Sequence, residues 1–247
     1  MVQGIVIIPT FNEIENIEAI IKAVLALPTP FHVLIVDDNS PDGTADKVRE
    51  MQSEFPTQLH LKVRTKKSGL GTAYVAGFKW ALSHGYEYIF EMDADFSHNP
   101  DDLIRLYNAC FNGADVSIGS RYTKGGKVQN WPMGRILMSY FASVYVRMIL
   151  FIGISDTTAG FMCYSSKVLR AIDLDNIHFK GYAFQIEMKF ASWRLGFKLK
   201  EVPITFVDRK IGVSKMSKGI VKEAAFGVIK LKLWSIFRGK KGYNNHQ

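Results

Sequence analysis

The chain has 247 residues, 47% apolar and 22% charged. This mix suits a chain that buries a sizeable core and excludes a disordered chain, a collagen or a coiled coil. Two cysteines, Cys110 and Cys163, exclude a disulfide scaffold and point to a reducing compartment, and the net charge of +8 asks where the excess cations lie.

Residues 1–13 have neither a basic n-region nor a long apolar h-region, so no signal peptide is expected. The apolar run 4–9 predicts a buried strand. Residues 15–26 predict a helix with Ile17, Ile20, Ile21, Val24 and Leu25 on one face. Further strands are expected at 32–38, 59–63, 87–95 and 114–121. They alternate with helices at 44–55, 71–84 and 101–112, where Ala73, Gly77 and Ala81 allow close packing. Strict alternation, with strands apolar on both faces, predicts an α/β fold whose mostly parallel sheet is covered by helices. Such sheets bind ligands beyond the carboxyl ends of their strands.

The pattern changes after Arg121. Residues 122–134 form a Gly-rich, Pro-containing loop, and an apolar run follows at 136–154. Its length suits a membrane span, but Arg147 is costly there, and Ser139 and Ser143 weaken the signal. The expectation is a helix at an interface or partly in the core. Residues 182–195 predict another helix and 198–206 a late strand. In 217–241, Ile220, Ala224, Val228, Leu231 and Ile236 recur at helical spacing, with Trp234 and Phe237 nearby. From 209 to 241 there are ten basic residues against Glu223 alone, which accounts for the whole charge excess. A basic amphipathic helix with aromatic anchors suits an anionic membrane surface. The expected division is a main α/β domain at 1–215, carrying an interface helix near 135–154, and a basic amphipathic helix and tail at 216–247.

Three strand ends carry carboxylates: Pro9-Thr10-Phe11-Asn12-Glu13, Val36-Asp37-Asp38-Asn39-Ser40 and Met92-Asp93-Ala94-Asp95. In a parallel sheet these ends meet on one rim. Asp93 and Asp95, two apart in an extended segment, would project to the same side, and two hard carboxylates suit Mg2+ or Mn2+ with its bound phosphates. His98 has no second His or Cys at metal spacing and is not expected to be a ligand. Asp156 and Glu187 are read as structural hydrogen-bonding groups.

The segments IPTFNEIENI, VDDNSPDGTAD, SGLGTAYVAGFKWA, EMDADFSHNPDDL, IGSRYTKGG with WPMGR, and FVDRKIGVSKMS resemble family 2 inverting glycosyltransferases of the GT-A fold, and within them the dolichol- or polyprenol-phosphate mannose synthases. The resemblance runs from residue 5 to about 217. It implies that Pro9, Phe11, Glu13, Val36, Asp38 and Ala94 surround the nucleotide of a GDP-sugar. Phe11 stands where many relatives have tyrosine, keeping the stacking surface and losing one hydrogen bond. Asp93 and Asp95 would hold the metal on the diphosphate. Ser97 occupies the place where some relatives have a glutamine ligand. Arg209, Ser214 and Lys215 would clamp the donor diphosphate, with Ser214 also near the acceptor. Arg121, Arg135 and Ser139 would receive the acceptor phosphate, and Asp93, Asp95 and Arg121 would carry the catalysis.

The implied reaction moves mannose from GDP-mannose to a polyprenyl or dolichyl phosphate with inversion. An isoprenyl phosphate is already an ionised nucleophile, so the site needs cations to position two phosphates and a Lewis acid on the leaving group rather than a strong base. Arginine suits bidentate phosphate contacts. The expected setting is cytoplasmic, peripheral on the cytoplasmic face of a membrane, resting on the bilayer or on a small membrane-anchoring partner. The alternatives are a UDP-glucose or other UDP-sugar donor with the same acceptor, and a non-catalytic nucleotide- or nucleic-acid-binding protein. No nucleic-acid module is recognisable, so no nucleic-acid partner is expected.

Overall fold

The computed structural model describes residues 3–181, 183–208, 218–238 and 243–244, without the side chains of 218–225 and 237–238. The first half follows the predicted alternation: β1 Gly4–Thr10, α1 Ile14–Leu25, β2 Phe31–Asp37, α2 Thr44–Met51, β3 Leu59–Val63, α3 Leu70–Ser83, β4 Tyr88–Glu91, α4 Asp102–Phe111 and β5 Val116–Ser120. Alternate side chains on each strand enter different cores because a strand repeats every two residues. Ile5 and Ile7 join Leu34, Val36, Tyr74 and Phe78 under α3. Val6 and Ile8 join Val33, Ile35, Ile17, Ile20 and Leu106 under α1 and α4. At Gly77 any Cβ would stand 2.7 Å from Ile7 Cγ2, so glycine is what lets α3 lie this close to β1.

The second half is less regular. It comprises β6 Lys127–Gln129, α5 Met133–Leu150, β7 Met162–Ser165, α6 Ser166–Ala171, α7 Ala183–Arg194, β8 Leu199–Pro203, β9 Thr205–Val207 and α8 Lys218–Arg238. The main sheet runs β3-β2-β1-β4-β7-β5-β8. Strand β7 is antiparallel to both β4 and β5, and the other pairings in this sheet are parallel. The sheet is therefore mostly parallel, as expected.

Several boundaries depart from the sequence expectation. The strand expected at 87–95 stops at Glu91, and residues 94–98 form a bend in which Phe96 has φ 59°. The stretch 198–206 is two strands: β8 stays in the main sheet, whereas β9 leaves it to pair with β6. The helix expected at 136–154 starts earlier, after Pro132, and ends at Leu150, where Phe151 takes φ 56°. On α8, Val228 and Leu231 belong to the core under α3, as does Tyr243 beyond the helix. Of its predicted stripe, Val228 and Leu231 are buried and Ile236 is exposed, while the side chains of Ile220, Ala224 and Phe237 lie outside the described residues.

Candidate active site

Strand order reverses around β1, since the chain first builds β2 and β3 on one side of it and then β4 on the other. The crevice beyond the carboxyl ends of β1 and β4 is the place where such sheets bind ligands. Thr10 lies in register with Asp37, and Ile7 with Glu91. Strands β2 and β4 flank β1, so their ends stand about 10 Å apart on one rim.

Two loops of that rim are moulded on each other. Asp37 accepts from Thr10 Oγ1 (2.8 Å), Ser40 Oγ (2.6 Å) and Ser40 N (2.8 Å). Ser40 Oγ accepts from Asn12 N (3.0 Å), Thr44 Oγ1 from Glu13 N (3.1 Å) and Asp42 Oδ2 from Ile14 N (3.1 Å). Asn12 and Asn39 both turn in the left-handed region, which asparagine tolerates well. Much of the polar DDNSPDGT segment is thus spent on shaping the Phe11–Glu13 turn. Asp38 is placed differently. It is buried, its Oδ1 lies 2.8 Å from Arg64 Nε, and Arg64 Nη2 donates to Thr72 Oγ1 (2.8 Å) at the start of α3. Burial raises the Asp38 pKa, against the opposing charge of Arg64. Lys67 Nζ lies 4.3 Å from the centroid of Phe11. Val36 is a core residue whose side chain is withdrawn from the rim, and Ala94 is also buried. Pro9, Phe11 and Glu13 are half-buried on the rim.

Asp93 lies just beyond β4 and Asp95 in the bend that follows, rather than both in one extended strand. Asp95, 9% exposed, accepts from Ser97 N at 3.1 Å, and Asp93 N donates to His98 Nδ1 at 3.2 Å. His98 is stacked on Phe161 with centroids 4.7 Å apart, and burial pushes its pKa down to about 4. The imidazole is therefore neutral at pH 7, and it braces the turn as an acceptor. Ser97 Oγ is buried with no hydrogen-bond partner among the described residues. Those residues contain no cluster of three His, Cys, Asp or Glu side chains able to hold a metal. Two carboxylates with an adjacent orphaned hydroxyl nevertheless fit Mg2+ or Mn2+, which take oxygen donors and leave several positions to phosphate and water. Behind this rim, Glu91 and Lys189 are buried and unanticipated: burial pushes Glu91 up and Lys189 down, and Lys189 Nζ donates to Ala159 O (2.5 Å) and Gln185 O (3.2 Å).

Arg121 and Arg135 both lie against the ring of Trp131. Arg121, just past β5, donates to Asp156 from N (3.0 Å), Nε (2.7 Å) and Nη2 (2.7 Å), and from Nη2 to Thr158 Oγ1 (2.7 Å). Asp156 is fully buried, and its own N–H donates to Glu201 at 3.0 Å. Burial raises the Asp156 pKa, but the Arg121 charge and hydrogen bonds outweigh it and hold the carboxyl below the usual range. Arg121, expected to receive the acceptor phosphate, has one side of its fork committed to Asp156. Its Nη1 makes no hydrogen bond among the described residues, and its charge acts on the Asp93 side of the cleft. Arg135 donates from Nη1 to both oxygens of Asp208 (3.0 Å each) and lies 4.0 Å over the Trp131 ring. Ser139 faces the Tyr122 hydroxyl. Arg209, Ser214 and Lys215 lie outside the described residues. Asp156 serves a structural bond, as read from sequence. So does Glu187, which accepts from His178 Nδ1 (2.9 Å), His178 N and Phe179 N (3.0 Å each). Sequence reading missed Arg64 and the partner of Arg121; nothing in local spacing signals a pairing across 35 residues.

Residues 5–173 match the family described as glycosyl transferase family 2. The chain belongs to this family. Family 2 membership makes it a glycosyltransferase. It is 48% identical over 236 residues to polyprenol monophosphomannose synthase of Mycolicibacterium smegmatis, covering 96% of this chain and 88% of the relative. It is 47% identical over 239 residues to undecaprenyl-phosphate mannosyltransferase of Micrococcus luteus, covering 96% and 98%. Among solved structures, the fold matches glucosyl-3-phosphoglycerate synthase of Mycobacterium tuberculosis, solved with Mn2+, UDP and glucosyl-3-phosphoglycerate, at TM-score 0.66 and 17% identity over 99% of this chain and 82% of that one.

Proposed function

We propose that this family 2 enzyme transfers mannose from GDP-mannose to a polyprenyl phosphate with inversion. The observation that supports the reading is that Arg121 shares the Trp131 ring with Arg135 while its charge acts on Asp93, just beyond the end of β4. The names of the two closely similar mannosyltransferases support the sugar and the acceptor class.

In this reading Phe11 offers a face to the guanine base and Asp38 accepts from its N–H groups. Asp93 and Asp95, with Ser97 Oγ, would hold Mg2+ or Mn2+ against the diphosphate. When bound, such an ion would supply positive charge to the diphosphate and to the leaving GDP. Arg121 and Arg135 orient the acceptor phosphate, already ionised, so that one of its oxygens approaches the anomeric carbon opposite GDP. A single displacement turns an α-linked donor into a β-linked product. Arg209, Ser214 and Lys215 supply further donors to the phosphates. No side chain need take a proton from the nucleophile.

The acceptor is insoluble in water, and α5 supplies a means of meeting it. By length and composition α5 could cross a membrane. Its N-terminus lies beside the arginine cleft, and it exposes Met133, Leu137, Phe141 and Met148, with Phe151 just beyond its end. On α8, Phe226, Leu233 and Ile236 are exposed too. These exposed apolar side chains support a peripheral seat on the cytoplasmic face of a membrane, or on a small membrane-anchoring protein. The test is transfer of labelled sugar into an organic-extractable lipid, with Mg2+ or Mn2+ and a polyprenyl phosphate. Transfer from GDP-mannose well above UDP-glucose supports the reading. Transfer from UDP-sugars alone refutes the donor, and no transfer from either refutes the reaction.

A further inference from the structure

Both arginines of the cleft converge on one ring that the reading above leaves without a task. Trp131 immediately precedes Pro132, the N-terminal boundary of α5. The Arg135 guanidinium carbon lies 4.0 Å from its ring centroid and that of Arg121 lies 5.6 Å away. Both are within cation–π range. The ring is wedged against Phe206 with centroids 5.2 Å apart at 65°. Phe206 sits opposite Val128 in the β6–β9 pair, and that pair fixes the height of both aromatics. Trp131 Nε1 is buried and has no hydrogen-bond partner among the described residues. An unpaired buried donor is costly and calls for an explanation.

The groups around it narrow the explanation. An indole N–H only donates, and a guanidinium only donates. Arg121 Nη1 makes no hydrogen bond among the described residues, and Arg135 meets Asp208 through Nη1 alone. What completes such a set is an anion with several acceptor oxygens. Resting on the reading of this cleft as the acceptor site, we propose that Trp131 is a ligand of the acceptor phosphate. Its indole N–H donates to a phosphate oxygen, and its ring holds the two guanidiniums at the spacing that oxygen requires. The indole thus contributes a neutral donor. It adds a bond without further positive charge, so the phosphate stays nucleophilic.

Trp131→Phe keeps the ring and removes the donor; Trp131→Leu removes both. With wild-type, the two variants and Arg135→Ala, KM is measured for a short-chain polyprenyl phosphate and for GDP-mannose, and inorganic phosphate is tested as a competitor. The Phe variant is expected to raise KM for the lipid phosphate at least about ten-fold, the strength of a hydrogen bond to a charged group, with KM for GDP-mannose unchanged. The Leu variant should raise it further, and inorganic phosphate should compete more weakly in both. The short-chain phosphate should also shift the emission of wild-type protein and shift that of Trp131→Phe less. If Arg135→Ala raises the lipid-phosphate KM and Trp131→Phe does not, Trp131 is no ligand. Loss of donor and acceptor affinity in equal measure would also overturn the proposal. If Arg135→Ala leaves that KM unchanged, the cleft reading itself fails. Weakened competition by inorganic phosphate with an unchanged lipid KM would assign the indole to free phosphate and overturn it.

Discussion

Asp156→Ala is the most informative single change. It strips three hydrogen bonds of 2.7–3.0 Å from Arg121 and leaves a guanidinium whose side chain is 9% exposed facing a site where its partner was fully buried. Among the described residues Thr158 Oγ1 remains as an acceptor. Removing one member of a buried ion pair costs about 3–5 kcal/mol, because the other charge stays desolvated. That is a large share of a total stability of roughly 5–15 kcal/mol. At roughly 2–4 °C per kcal/mol for a chain of this size, Tm should fall by about 6–20 °C. Asp156→Asn keeps an acceptor and loses the charge, and should cost roughly 2–3 kcal/mol. Arg121→Met with Asp156→Leu removes both charges and should recover much of the loss. The assay is urea unfolding followed by circular dichroism, with the denaturant slope checked for constancy. An Asp156→Ala cost under about 1 kcal/mol would show that the pair is solvated, refuting the argument from burial.

Three further outcomes are expected. Gly77→Ala places a methyl 2.7 Å from Ile7 Cγ2, so it should destabilise by about 1–3 kcal/mol despite the better helix propensity of alanine; an unchanged or higher Tm would contradict the packing. His32 Nδ1 and His60 Nε2 share the Tyr86 hydroxyl (2.6 and 3.3 Å), and burial lowers both pKa values from 6.5. The unfolded chain then binds more protons below pH 6.5, so stability held above that pH is lost as it falls, by up to about 1.4 kcal/mol per pH unit for each histidine; the slope should flatten in His60→Gln, and an equal slope would contradict it. Phe141→Ser with Met148→Ser alters side chains that are 61% and 62% exposed. The pair should leave Tm nearly unchanged and reduce flotation with anionic vesicles, and undiminished flotation would remove α5 from the membrane face.

The first half of the fold was legible because each strand is a short apolar run and each helix keeps its 3.6-residue stripe. The rim followed from it, since parallel strands bring Thr10, Asp37 and Glu91 to one end. Strand β7 was missed: four residues, MCYS, following an irregular stretch, carry no periodic signal, and their place between β4 and β5 is decided by tertiary pairing alone. The extended run to Asp95 was misread because apolarity continues through Met92 while the backbone turns. Distant pairs left no trace in the sequence: Arg121 with Asp156, and Arg64 with Asp38. Their partners are chosen by the fold, and neither the resemblance nor the Gly-rich loop after Arg121 signals that Asp156 holds it.

In the proposed site Asp93 and Asp95 bind a sugar nucleotide through a divalent cation. Calorimetric titration of GDP into wild-type protein and into Asp95→Asn, each with and without Mn2+, tests it most directly. The account predicts tight binding by wild-type protein only when Mn2+ is present, and a variant that binds GDP weakly whether or not Mn2+ is added. Equal affinity with and without Mn2+, or a variant retaining the full gain from the metal, would contradict it.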